Sequence, residues 1–229
     1  MNKRLYELRA VETFMRVSGQ ECFINLTGDK EGRNPNITKK LIDFRISLIT
    51  EEFKELCDAI AAYDYDETVD ALADLLYVLI GSCIAFGLPY RVEGWMEKYD
   101  AAYFDKHIDM AEISSDTPEC PNIENEQEME EFLKEWEIYV AVFAKTIYYY
   151  SFEEGINIIK AFEIVHDSNM TKFCKTEEEA IKSCAKLSFP AIYEKRHDAA
   201  DNAYYVILHK DTGKILKGIN FMPPNFINL

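Results

Sequence analysis

Two short runs of carboxylates interrupt stretches that otherwise carry the apolar spacing of buried helices, and nothing else constrains this chain so tightly. The first is Glu51-Glu52-Phe-Lys-Glu55. The second, after fourteen intervening residues, is Asp70-Ala-Leu-Ala-Asp74-Leu-Leu-Tyr-Val-Leu-Ile. Leu41, Ile42, Leu48, Ile49, Leu56 and Ile60 recur at helical spacing and predict a helix over about 39–62. On a wheel of about 100° per residue, Glu52 falls in the middle of the Leu48, Ile49 and Leu56 stripe. Glu55 lies at its edge, and Arg45 is two turns earlier on the same side. A second helix over about 67–86 places Glu67, Asp70 and Asp74 on one stripe, continued by the small residues Gly81 and Ala85.

If the short Tyr63–Asp66 break folds these helices antiparallel, their carboxylates converge. Like charges in one pocket raise each other's pKa unless a cation neutralises them. Magnesium takes oxygen ligands and keeps several waters, which suits bridging carboxylates to substrate phosphates. A solvated helix surface explains Glu-Glu-x-x-Glu alone. It does not explain Asp74, which is embedded in an apolar run.

The rest of the chain reads as mostly helical. A third helix is expected over about 125–150, after the linker Ser114–Pro121. A fourth is expected from the capping-box pattern Ser151-Phe-Glu-Glu154 to about Asn169. Thr176-Glu-Glu-Glu179 opens a shorter helix to about Leu187. Residues 203–209 and 214–217 flank Asp211-Thr-Gly213 and predict a β-hairpin. Both tryptophans, Trp95 and Trp136, fall in the stretch 89–150, where extra helices packing on the core are expected.

Composition narrows the partners. The chain has 229 residues and a net charge of −16, which repels nucleic-acid polymers. No apolar run long enough to span a bilayer is evident, and the N-terminus lacks a secretory signal, so no membrane partner is expected. Six scattered cysteines without CxxC spacing argue against zinc and for free thiols in a reducing, cytoplasmic setting. A Gly-rich phosphate loop is absent, and nothing supports a Ser/His/Asp or Cys/His nucleophile.

The run from Arg45 to Leu56, followed by Asp70-Ala-Leu-Ala-Asp-Leu-Leu-Tyr-Val, resembles the MazG-type all-α NTP pyrophosphatases. The closest branch is the phosphoribosyl-ATP pyrophosphohydrolase-like group. Val165-His-Asp-Ser-Asn-Met-Thr-Lys172 and Gly213-Lys-Ile-Leu-Lys-Gly-Ile-Asn-Phe-Met-Pro-Pro224 are similar to two further signatures of that branch. The resemblance implies an all-α bundle with a small C-terminal β-hairpin, built from 1–88 and 151–229, with 89–150 as a helical insertion. It implies that Glu52, Glu55 and Asp74 bind Mg2+, with Mn2+ as a possible substitute. The family's remaining ligand position falls at Ala71, and Asp70, one turn from Asp74, is the expected replacement. Glu67 also makes an ExxD with Asp70 but lacks the following Leu-Leu-Tyr context.

Glu51 and Glu52 are the expected catalytic residues, Glu51 positioning or activating the attacking water. Arg45, Asn169, Lys172, Lys214 and Lys217 are the expected substrate contacts, and His166 is expected to be structural. The implied reaction converts a (d)NTP and water to the (d)NMP and pyrophosphate, in a homodimer or homotetramer. Phosphoribosyl-ATP, dUTP or a damaged nucleotide are alternative substrates. A nucleotide- or metal-binding module without turnover is the alternative from another class, motivated by Ala71.

Overall fold

A computed structural model describes residues 3–26, 30–90, 117–227 and 229. Trp95, Ser114–Asp116 and any extra helices expected over 91–116 lie outside the described residues. The chain divides into two compact units, Phe23–Phe162 with Leu229, and Met1–Cys22 with Glu163–Asn228.

The first unit is helical. Helix α2 (Lys39–Ala62) starts at Thr38, whose side chain accepts from the Leu41 N–H. It ends at Tyr63, which takes the left-handed conformation at φ 55°. Asp64 then serves both neighbours: its N–H donates to the Ala59 carbonyl, and its side chain accepts from Glu67 N–H at the start of α3 (Tyr65–Phe86). A two-residue connection of this kind folds the helices back antiparallel. The sequence expectation for this pair is met almost to the residue.

Helix α3 is encased. Contrary to the expectation that no segment is long and apolar enough to cross a membrane, α3 is so by length and composition. However, 83% of its most apolar window is buried inside the protein, which marks a core helix. Its last carbonyls, orphaned at any helix end, are met by the preceding loop. Phe23 N–H donates to Ile84 O (2.9 Å), Asn34 Nδ2 to Ala85 O (2.8 Å), and Asn25 Nδ2 to Gly87 O (2.9 Å). Gly87, at φ 66°, sits so close to this loop that an added Cβ would lie 2.5 Å from the Gly32 carbonyl oxygen.

Helix α4 (Glu126–Glu153) begins at the Asn125 cap and carries an aromatic stripe. Phe132 and Trp136 pack on Phe86, Tyr139 links Trp136 to Phe143, and Phe143 meets Phe53 of α2 edge-on at 5.8 Å. Trp136 Nε1 donates to Ser82 Oγ at 3.0 Å. The packing of this stretch on the core is therefore as expected. The Ser151 capping box is not: Ser151 is buried inside α4, which runs through it to Glu153. The chain turns at Gly155 (φ 70°), and Asn157 accepts from Lys160 N–H at the start of α5 (Ile158–Met170). The unit boundary falls within α5.

The second unit holds α1 (Lys3–Ser18), which the sequence pattern did not reveal, α6 (Glu177–Lys186) and a three-stranded antiparallel sheet. The Thr176 capping box is present as expected. The expected hairpin is β2 (Ala203–His209) with β3 (Ile215–Leu216), but β2 also pairs along its length with β1 (Ala191–His197). So the fold is mostly helical with a small sheet, rather than all-α with one hairpin. Strand β2 is central and covered on both faces, because successive side chains alternate. Tyr204, Val206 and Leu208 pack with Val17 and Phe173, whereas Ile207 packs with Cys174 and Ala180. Arg196 of β1 donates to Ser18 O at the end of α1 and is itself held by Glu194.

Candidate active site

The buried residues of α2 are Ile42, Arg45, Ile49, Leu56 and Ala59, at steps of three, four and seven. Position 52 is the step missing between Ile49 and Leu56. Glu52 is accordingly half-buried, while Glu51 and Glu55 are exposed. On α3 every residue from Thr68 to Phe86 is buried except Asp70, Asp74 and Val78. Those three recur at four-residue spacing, so the helix opens along a single stripe and two of its three residues there are carboxylates. Asp70 Oδ1 has no access to solvent. Ala71, at the family's ligand position, is buried, whereas Asp70 stands on the open stripe.

Arg45 is only 2% exposed and ranks among the largest fully buried side chains. Its guanidinium carbon lies 5.3 Å from the centre of the Phe44 ring. A buried guanidinium is tolerable only when acidic groups face it. A phosphate arriving from solvent does not meet it in this conformation.

The donor set suits a hard divalent cation in kind: two carboxylates on each of two paired helices, with one oxygen sealed from water. It is not a preformed cage. Among the described residues, no three His, Cys, Asp or Glu side chains are gathered closely enough to hold a metal ion.

The other expected contacts belong to the second unit. Lys172 Nζ donates to Oδ1 of the buried Asn169 at 2.5 Å and lies 5.8 Å from the Phe14 ring centre. Lys214 and Lys217 are exposed, with Lys217 Nζ 4.1 Å over Phe221. His166 meets Tyr6 edge-on at 6.5 Å, and burial lowers its pKa against the pull of Asp167. This agrees with a structural histidine. Three residues overlooked in the sequence organise this region. Ser168 Oγ donates to Met222 O (2.8 Å), and Thr171 Oγ1 accepts from Met222 N–H (2.9 Å). Gly218 approaches so closely that a Cβ there would lie 2.8 Å from Cys174 Sγ. Hydroxyl-to-backbone bonds leave no periodic trace in a sequence. The position of Thr171 between Asn169 and Lys172 was the only signal.

Residues 22–98 match the family model described as phosphoribosyl-ATP pyrophosphohydrolase. The match makes this segment similar to the MazG-like NTP pyrophosphatases. All the candidate metal-binding carboxylates lie within it. Asn169, Lys172, Lys214 and Lys217 lie outside. An uncharacterized protein of Acanthamoeba polyphaga mimivirus is 28% identical over 243 residues, covering 96% of this chain and 94% of its own. No solved structure matches. The family is one of pyrophosphohydrolases, enzymes that cleave phosphoric anhydrides.

Proposed function

We propose that this chain is a magnesium-dependent nucleoside triphosphate pyrophosphohydrolase, converting a (d)NTP and water to the (d)NMP and pyrophosphate. The observation that carries this reading is the open stripe of α3. A helix encased elsewhere from Thr68 onward leaves only Asp70, Asp74 and Val78 half-buried, and the helix paired with it carries the half-buried Glu52 in the gap of its buried stripe. Glu52, Glu55, Asp70 and Asp74 would hold the metal, with Mn2+ an expected substitute. When bound, the ion supplies positive charge that orients the phosphates and offsets charge developing on them. Glu51, exposed beside Glu52, accepts the proton of the attacking water. The anhydride bond between the α and β phosphorus breaks, and pyrophosphate leaves. Arg45 supplies a fixed interior cation on the same helical stripe as Glu52 and so acts as a positioning residue.

Support for Asn169, Lys172, Lys214 and Lys217 as nucleotide contacts comes from the similarity of their segments to family signatures. The same similarity supports a homodimer or homotetramer. Six free cysteines fit an intracellular, reducing setting. A second reading, nucleotide or metal binding without turnover, is favoured by the buried Ala71 and by the absence of a gathered three-ligand group among the described residues.

Incubation with Mg2+ and a panel of NTPs, dNTPs, dUTP and phosphoribosyl-ATP, followed by product identification, separates these readings. Monophosphate plus pyrophosphate supports hydrolysis and ranks the substrates. Diphosphate plus phosphate would sink it, and binding without product across the panel selects the second reading.

A further inference from the structure

Exposed aromatic side chains gather at one end of the helical unit. Tyr63 is 96% exposed, Phe152 79%, Tyr149 56% and Tyr65 54%. Tyr63 and Tyr65 flank the α2–α3 turn, and Tyr149 and Phe152 lie near the end of α4. Helix α4 runs antiparallel to α3, because Phe132 meets Phe86 while Trp136 reaches back to Ser82. Phe152 lies sixteen residues beyond Trp136, or about 24 Å along a helix. The same distance back along α3 from Ser82 arrives at Asp66. Both aromatic pairs therefore sit at the same end.

The charged residues that flank these aromatics most closely in sequence are acidic. Asp64, Asp66, Glu67, Glu153 and Glu154 are all exposed. No Lys or Arg occurs between residues 55 and 90, or between 146 and 159. Aromatic faces among carboxylates complement Lys and Arg side chains through cation–π contacts and ion pairs. The same carboxylates repel polyanions and anionic membranes. Solvation alone is a poor explanation for four such aromatics in one place. Tyr63 adds a further point: it occupies a left-handed position where glycine is the default, and its side chain is almost wholly in water.

We propose that this aromatic and acidic end of the α2–α3–α4 bundle is a docking surface for a Lys/Arg-rich segment of a partner protein. The test is fluorescence anisotropy with a labelled peptide of alternating arginine and serine, comparing wild type with the double variant Tyr63→Gly and Phe152→Ser. Neither position is among the candidate site residues, both side chains are exposed, and glycine fits the left-handed backbone, so the variant is expected to unfold no earlier and to hydrolyse nucleotide as the wild type does. Two lost cation–π contacts weaken peptide binding about 5- to 30-fold. Equal binding by both proteins assigns the affinity to charge alone and overturns the proposal. So does absence of binding to the wild type. Self-association of the wild type that the variant lacks, without peptide binding, overturns it in favour of a second copy of this chain.

Discussion

Both units withdraw carboxylates at least partly from water, and they do so in opposite ways. In the unit that joins the chain's two ends, Glu12 is buried on α1 but accepts from Arg9 and Arg16 of the same helix, the latter at 2.9 Å. In the helical unit, Asp70 and Asp74 share one stripe with no Lys or Arg within the surrounding residues 56–89. All of the net charge of −16 falls in this unit, while the other is close to neutral. A carboxylate with its own arginines one turn away is a structural solution. Carboxylates that share a stripe with each other draw their partners from other elements. That difference fits the proposal that the helical unit carries the chemistry.

The contrast can be sharpened by variants, starting with the largest expected effects. Arg45→Met should cost about 3–5 kcal/mol in chemical denaturation, because it removes a fully buried charged group and whatever interactions hold it there. Lysine there restores the charge but not the fork. Trp136→Ala should cost a similar amount, about 3–5 kcal/mol, by opening a cavity against Phe86 and removing the bond to Ser82. Asn34→Ala should cost about 1–3 kcal/mol, since it leaves the Ala85 carbonyl at the buried end of α3 unmet. Glu12→Gln is the matched comparison for Arg45→Met and should cost only about 1 kcal/mol, because Arg9 and Arg16 are 48% and 42% exposed and can return to water. A Glu12→Gln cost as large as that of Arg45→Met would break the contrast.

The smallest effect is a pH dependence. Burial lowers the pKa of His166 below its ordinary 6.5, so the native state binds fewer protons than the unfolded chain just below that pH. Stability should fall as pH drops from about 6.5 and level off once the native histidine also titrates. His166→Gln should flatten that limb of a stability profile.

What the sequence made legible follows the same division. Helices α2 and α3 were readable because long apolar stripes, a two-residue turn and a Gly87 stop signal all agree. Their carboxylates stood out because they broke that pattern. Ser151 misled because a capping box is a local signal, and the packing of Tyr139, Phe143 and Ile147 on the core carries α4 through it. Helix α1 and strand β1 were missed for a related reason. Glu194, Lys195 and Arg196 make β1 look like a polar segment, and it becomes a strand by pairing along its length with β2, which follows five residues later. The contacts of Thr171 and Ser168 with Met222 span more than fifty residues and have no local trace.

The most direct test of the central claim is pyrophosphate release from nucleoside triphosphates by the wild type, Glu52→Gln and Asp74→Asn, each checked for unchanged thermal unfolding. The account predicts release by the wild type that falls by at least about 100-fold in both folded variants, in line with the loss of a group acting in the transition state. Release that persists at the wild-type rate in either variant would contradict it.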